Sequence, residues 1–315
     1  MRLHSLRIRN SIIQKSQQNQ TACPFGCAVF LCFFEACARH DEHGANKFFP
    51  ARFFNFLLKS GTISYEITSQ DETNMKNKLI HENYILPSRS NRHATLSLAA
   101  AIDIFMDMAM EHAELLNVGI TEFNKQTLFW VATKTKVHFN REIKMAEWVE
   151  FATWPQSPGK IKSDRQYTIK KGDELLVSGK TEWVVINSET KSIQKLEHVF
   201  PEDLIFCDDP GDTEDFLRLR DFSDGEAFGE YKVRCVDIDY GLHMNNVAYV
   251  RAIEGLFSSE DWDARGFNTF QIDYKKSCYE GDTLYFTKKE ENGRCYLRGA
   301  LADGTTIVLA VLSKE

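Results

Sequence analysis

One internal repeat limits the folds open to this chain more than any other feature. Val137-His-Phe-Asn-Arg-Glu-Ile-Lys-Met-Ala-Glu-Trp-Val-Glu-Phe151 lies over Ile272-Asp-Tyr-Lys-Lys-Ser-Cys-Tyr-Glu-Gly-Asp-Thr-Leu-Tyr-Phe286 without a gap, matching apolar, aromatic, basic, small, acidic and apolar positions in order. Two copies of one unit are implied, and each must bury the same pattern in the same way. Each copy alternates, turns around Lys144 to Glu147 or Tyr279 to Asp282, and alternates again, which predicts an antiparallel hairpin. Upstream of the first, Leu98, Ile102, Phe105, Ala109, Ala113 and Leu116 recur at helical spacing, which predicts a helix over Leu96 to Asn117 with Gly119 as its stop. Downstream, Arg165 to Lys171 and Leu175 to Ile186 read as long strands around the turn Lys171-Gly-Asp173. The second copy repeats this order with a helix over Asn246 to Phe257 and strands folded about Asp303-Gly304 within Arg294 to Leu312.

A strand, one apolar helix and then a wide antiparallel meander is the hotdog arrangement, in which a sheet curls round a central helix. The expected class is therefore α+β, a tandem hotdog whose two sheets pair edge to edge. His93 to Val137 spans 44 positions but His243 to Ile272 only 29, so the second helix is expected to be shorter and the first to line a longer groove. The expected organisation is an extension at 1–74, a first hotdog at 75–198 that shapes a pocket, an acidic linker at 199–224 and a second hotdog at 225–315. Seven Asp/Glu between Glu202 and Asp215, with Pro201 and Pro210, mark the linker as solvated.

Composition fits a soluble chain of about two ordinary domains: 315 residues, 43% hydrophobic and 26% charged. Residues 1 to 60 hold eight Lys/Arg against three Asp/Glu, leaving a net charge of -12 for the rest, a poor match for nucleic acid. No uncharged apolar run reaches the length of a membrane span. The cysteines show no disulfide-scaffold spacing, so reduced thiols in the cytoplasm are the expectation, with a plastid as the alternative if the arginine-rich, acid-poor start is a transit peptide. Cys32, Cys37, His40 and His43 fit no zinc ribbon or finger, and neither metal nor cofactor is expected. Residues 1–74, with the aromatic cluster Phe48 to Phe56, read as a poorly ordered extension ahead of a natural start at Met75.

Functional groups converge at the head of the second helix, in Cys235-Val-Asp-Ile-Asp-Tyr-Gly-Leu-His-Met-Asn-Asn-Val-Ala-Tyr249. The carboxylates of Asp237 and Asp239, the imidazole of His243 and the amides of Asn245 and Asn246 sit on a turn that feeds a helix N-terminus, where unpaired N–H groups suit an oxyanion. One of the two amides is expected to cap the helix. Asp239 and His243 also have plain readings, as a turn-initiating residue and a surface imidazole.

The run from Asp237 to Val250 resembles the D-x-D-x-N-x-H-x-N-N-x-x-Y signature of acyl-acyl carrier protein thioesterases of the plant plastid and bacterial kind. Leu128-Phe-Trp-Val-Ala-Thr, Glu150-Phe-Ala-Thr-Trp-Pro-Gln-Ser-Pro-Gly and the run from Lys180 to Lys195 agree, so the likeness covers about residues 78 to 315. It implies tandem hotdogs that hydrolyse the thioester between a fatty acyl chain and a carrier's phosphopantetheine arm, with acyl carrier protein as partner and room for a homodimer. It also places Asp239, His243 and Cys278 among the catalytic residues and Asn245, Asn246, Tyr249 and Ser277 against the substrate. Two positions depart from the pattern: Gly241 stands where the family has asparagine, and Ser277 where it has glutamate.

Two routes stay open. In one, Asp239 activates water while His243 orients it; in the other, His243 deprotonates Cys278 to form an acyl-enzyme. The tethering of Asp239 and His243 on one turn favours water. The corresponding turn of the first copy, Arg89 to His93, has no carboxylate, so one active site per chain is expected. Lys160, Lys162, Arg165, Lys170 and Lys171 are candidates for a basic patch that docks an acidic carrier. Met106, Met108 and Met110 are candidates for contact with an acyl chain. An acyl-CoA thioesterase and a non-catalytic acyl-binding protein are the rival readings.

Overall fold

The computed structural model describes residues 77–211 and 214–315. The expectations for the extension, its Cys/His set and the Phe48 to Phe56 cluster lie outside the described residues. The first half is β1 (Leu79–Tyr84), α1 (Leu98–Leu115), α2 (Ile120–Phe123), β2 (Leu128–Phe139), β3 (Trp148–Pro155), β4 (Ser163–Lys171) and β5 (Glu174–Asn187). The second is β6 (Glu226–Lys232), α3 (Asn246–Glu254), α4 (Ser259–Arg265), β7 (Thr269–Tyr274), β8 (Thr283–Glu291), β9 (Arg294–Ala300) and β10 (Thr306–Ser313).

All ten strands join one antiparallel sheet in the order β1-β3-β4-β5-β2-β7-β10-β9-β8-β6. The second half reads the first in reverse, and the halves meet where β2 pairs with β7, Val137 opposite Phe270. This is the tandem hotdog that the repeat implies.

The hairpins expected about Lys144 to Glu147 and Tyr279 to Asp282 do not form, whereas those about Lys171-Gly-Asp173 and Asp303-Gly304 do. β2 lies between β5 and β7, while β3 lies between β1 and β4; β7 and β8 are separated in the same way. A hairpin would put β3 on the edge of β2 that β7 occupies, so residues 140–147 and 275–282 instead carry the chain from the seam to the flank of each half. Alternation identifies a strand and its faces but carries no information about its neighbour. The crossing segments themselves match bond for bond. Lys144 N–H donates to Glu147 Oε2 at 3.0 Å and Tyr279 N–H to Asp282 Oδ2 at 2.8 Å. The left-handed positions are Ala146 (φ 63°) and Gly281 (φ 89°).

Helix α1 starts at Ser97, whose side chain accepts from Ala100 N–H. It ends at left-handed Asn117 (φ 56°), with Val118 N–H reaching back to Ala113 O at 2.9 Å, so Asn117 rather than Gly119 is the stop. Gly119 is extended (φ -84°) and is needed for room, since a Cβ there would stand 2.4 Å from the Glu114 side chain. The apolar stripe of α1 is buried, and Phe105 stacks on Tyr167 with ring centroids 4.5 Å apart. Gly179 of β5 makes that seat: a Cβ would lie 2.3 Å from the Phe105 ring. Helix α3 is half as long, 9 residues against 18, as the spacing requires. It ends at Gly255, short of the expected Phe257. It shares one core with α1, and an Arg251–Asp103 ion pair ties the two.

Among the described residues of 199–225 there is no helix or strand, and these residues are exposed or half-buried while touching the sheet at several points. The Gln271 side chain bonds both Leu217 N–H (2.8 Å) and Leu217 O (2.9 Å), Trp154 Nε1 donates to Asp209 O at 2.8 Å, and Lys78 meets the Asp209 carboxylate. Two carboxylates of the acidic run thus meet lysines, Asp209 with Lys78 and Glu214 with Lys136.

Candidate active site

The turn ahead of α3 and the turn ahead of α1 have the same backbone. Isolated bridges close both, Ile238 with Met244 and Ser90 with Leu96. Asp239 N–H donates to His243 O (3.1 Å) as Asn91 N–H does to Thr95 O (2.7 Å), and Leu242 N–H to Asp239 O (3.0 Å) as Ala94 N–H does to Asn91 O (3.0 Å). Leu242 (φ 61°) and Ala94 (φ 54°) take the left-handed position. The Asp239 carboxylate accepts from Gly241 N–H at 2.8 Å, and the Asn91 amide oxygen from His93 N–H at 2.9 Å. His243 therefore corresponds to Thr95, and His93 to Gly241. Matching the two histidines by residue type misaligns the turns, because the backbone rather than the imidazole is what repeats.

What differs is the chemistry the shared turn carries. In the second half the Asp239 carboxylate lies 3.8 Å from His243 Nδ1, with both side chains partly exposed. In the first, Asn91 Oδ1 accepts the Thr95 hydroxyl at 3.1 Å, an uncharged pair. A Cβ on Gly241 would stand 2.8 Å from His243 Nε2 and 3.1 Å from Asp239 Oδ1, so any larger residue needs the imidazole turned away. Asp237 is structural: both its oxygens accept from Tyr231 O–H at 2.9 Å, and one accepts Arg234 N–H at 2.8 Å. Asn245 is the helix cap, accepting Val247 N–H at 2.8 Å, while Asn246 opens the helix and its carbonyl accepts Tyr274 O–H at 3.3 Å. Val236, Tyr240 and Leu242 are exposed around the turn, and Asn124, which follows α2, reaches Tyr240 Oη at 3.5 Å.

Cys278 occupies the place of Ile143. Its carbonyl accepts Met244 N–H at 2.7 Å, as that of Ile143 accepts Leu96 N–H at 2.8 Å, and both side chains are fully buried. Burial first, then the Asp282 carboxylate 3.6 Å away, pushes its thiol up to about 12. Ser277 is exposed on the crossing segment. Tyr249 is buried behind the turn with its ring centroid 5.8 Å from that of Tyr274, and burial raises the pKa of its hydroxyl.

Two groups emerge as features only in three dimensions. Arg165 is buried and lines a cavity of about 190 Å³ under α1, so it does not belong to the basic surface patch with Lys160, Lys162, Lys170 and Lys171. Its alternation with Tyr167 and Ile169, both in the core, is the signal that places it inside. Met106 and Met110 line the same cavity, whereas Met108 does not. Glu254 sits at the N-terminus of α1, where Ala99 N–H bonds its carboxylate, and burial pushes it up to about 7. Its helical spacing from Val247 and Val250 is the corresponding signal. Among the described residues, no helix is long and apolar enough to cross a membrane, and no group of His/Cys/Asp/Glu is placed to hold a metal.

A family model described as the acyl-ACP thioesterase N-terminal domain matches residues 77–203, and one described as the acyl-ACP thioesterase C-terminal domain matches residues 223–309. Oleoyl-acyl carrier protein thioesterase 1, chloroplastic, of Arabidopsis thaliana is 25% identical over 235 residues, covering 69% of this chain and 64% of the relative. Dodecanoyl-[acyl-carrier-protein] hydrolase, chloroplastic, of Umbellularia californica is 22% identical over 202 residues, covering 60% and 53%. The chain thus spans less than two thirds of the length of these curated relatives. An acyl-ACP thioesterase from Bacteroides thetaiotaomicron superposes with a TM-score of 0.70 at 20% identity, over 78% of this chain and 99% of that one. The 12:0-ACP thioesterase from Umbellularia californica gives 0.64 at 17% identity, over 75% and 96%. At these identities the superpositions establish the fold.

Proposed function

Because the chain belongs to the acyl-ACP thioesterase family, we propose that it hydrolyses fatty acyl-acyl carrier protein thioesters to free fatty acids at the turn ahead of α3. The observation that carries this reading is the contrast between two turns of one backbone. Only the second turn bears both a carboxylate and an imidazole of its own, 3.8 Å apart and partly exposed.

In the proposed reaction Asp239 takes a proton from water, whose oxygen attacks the thioester carbonyl carbon while His243 orients the water. The Asn246 N–H at the head of α3 holds the developing oxyanion. As the carbon–sulfur bond breaks, the proton passes from Asp239 to the departing pantetheine thiolate, leaving an acid and a thiol. Cys278 packs the core, which fits water rather than a thiolate as nucleophile. Asn245 caps the helix, Tyr249 supports the turn from behind, and Ser277 stands on the exposed crossing segment where the arm would pass. The first hotdog, 75–198, supplies the acyl pocket, and Val236, Tyr240 and Leu242 supply the rim against the carrier.

The curated plant relatives are named chloroplastic. Together with the arginine-rich, acid-poor run at residues 1–34, this favours a plastid over the cytoplasm. Turnover of a ladder of acyl carrier protein and CoA thioesters tests the activity. Hydrolysis of the carrier thioesters is the expected result; binding without turnover would make the chain a non-catalytic acyl-binding protein, and a preference for CoA would replace the carrier.

A further inference from the structure

The cavity under α1 is walled by apolar side chains from both helices of the first half and from the sheet, among them Met106, Ile120, Phe123, Trp130 and Trp183. Two polar side chains interrupt that wall, Ser163 and Arg165, two residues apart on the inner face of β4. The Arg165 side chain is more than nine-tenths buried. One of its terminal nitrogens reaches His112 Nδ1 at 3.0 Å and Thr153 Oγ1 at 3.3 Å, and among the described residues Nε and the other terminal nitrogen meet no acceptor. No carboxylate lies against it among the described residues, in contrast to Lys136, Arg141 and Lys180, each of which has one.

Burial without an anion is the least favourable setting for a cation. Burial lowers the Arg165 pKa only to about 10, so the side chain stays charged at neutral pH. A planar fork with free donors, beside a hydroxyl and at the wall of an apolar cavity, is complementary to a carboxylate carried on an aliphatic chain. A plain methyl-ended chain would leave the charge buried and unanswered.

We propose that this cavity binds an aliphatic chain ending in a carboxylate, held by Arg165 and Ser163. The carboxylate has two sources, the far end of an ω-carboxyacyl thioester or the head of a released fatty acid. Only the first rests on the function proposed above.

Trp130 and Trp183 line the cavity, so their fluorescence reports its occupancy without turnover. Monomethyl decanedioate and decanoic acid are expected to bind at least tenfold more tightly than dimethyl decanedioate and decanol. Arg165→Met should erase that preference while keeping affinity for the neutral probes, and Arg165→Lys should retain part of it. Equal affinity of charged and neutral probes for the unaltered protein, or a preference that survives Arg165→Met, overturns the proposal. Should Arg165→Met fail to fold, the unaltered protein and Arg165→Lys still decide it.

Turnover separates the sources. Faster hydrolysis of ω-carboxydecanoyl than of decanoyl carrier protein assigns the carboxylate to the substrate. The reverse order, with decanoic acid inhibiting and decanol not, assigns it to the product. If neither thioester is hydrolysed, the proposed function fails, and the fluorescence preference still reads the cavity.

Discussion

The two turns that lead into α1 and α3 share their bridges, their left-handed residue and their side-chain-to-backbone bond, yet in one the two side chains bond each other and in the other they stand apart. Asn91 and Thr95 satisfy each other at 3.1 Å, whereas Asp239 and His243 stand 3.8 Å apart and face solvent. The helix heads differ as well. Asn245 caps α3 at Val247 N–H, while the matching N–H of α1, that of Ala99, holds the Glu254 carboxylate. The backbone is the same in both copies, but only the second turn sets a carboxylate of its own beside an imidazole; the first turn's Arg92 and His93 pair instead with Asp263 from another element. The lesson is that the turn is the inherited part and the chemistry is a choice of two side chains on it.

The sharpest way to break the comparison is to give the second turn the residues of the first. Asp239→Asn keeps the acceptor for Gly241 N–H but removes the base, and His243→Thr removes the imidazole. Each is expected to lower thioester hydrolysis by at least about tenfold to a hundredfold, roughly 1.4 to 2.7 kcal/mol in the barrier, with the melting temperature unchanged. Wild-type rates in both would show that the difference between the turns is not catalytic.

A second test addresses the α1 head. Glu254 has a folded-state value of about 7 against an ordinary 4.5, so between those pH values the folded protein retains a proton that the unfolded chain has released. Stability should therefore fall as pH rises through that window, by no more than about 3 kcal/mol in total. Glu254→Gln is expected to raise the melting temperature at pH 8 and leave it nearly unchanged at pH 4.5. An equal shift at both pH values would mean that the carboxylate is not buried in its charged form.

A smaller effect is expected at the crossing segments, where Cys278 stands in for Ile143. Cys278→Ala should retain hydrolysis within about an order of magnitude, no more than ~1.4 kcal/mol in the barrier, with a modest loss of stability from the missing sulfur. An acyl group trapped on the Cys278 peptide during turnover would instead make the thiol the nucleophile. The smallest effect belongs to Asn91→Asp, which places a carboxylate on the first turn. Measured in the Asp239→Asn background, it should restore no hydrolysis, because Thr95 offers no imidazole and Glu254 holds the helix head. Recovered turnover would show that the second site needs only one residue.

The repeat, the two central helices and the faces of the strands were legible in the chain alone, because these depend on spacings of two and 3.6 residues that a local stretch of chain carries whole, whereas α2 and α4 were not read from it. The sequence also marked Asp239 and His243, four residues apart on a turn that fixes both. It did not determine strand partners: the alternation flanking Lys144 and Tyr279 is the same whether the next strand folds back or crosses to the flank, and only the pairing of β2 with β7 decides. Nor did it separate Cys278 the nucleophile from Cys278 the substitute for Ile143, or Arg165 the surface cation from Arg165 the buried one. Those roles depend on which residues from distant parts of the chain exclude water from the group. Desolvation is a property of the assembled neighbours, and only the tertiary structure brings them together.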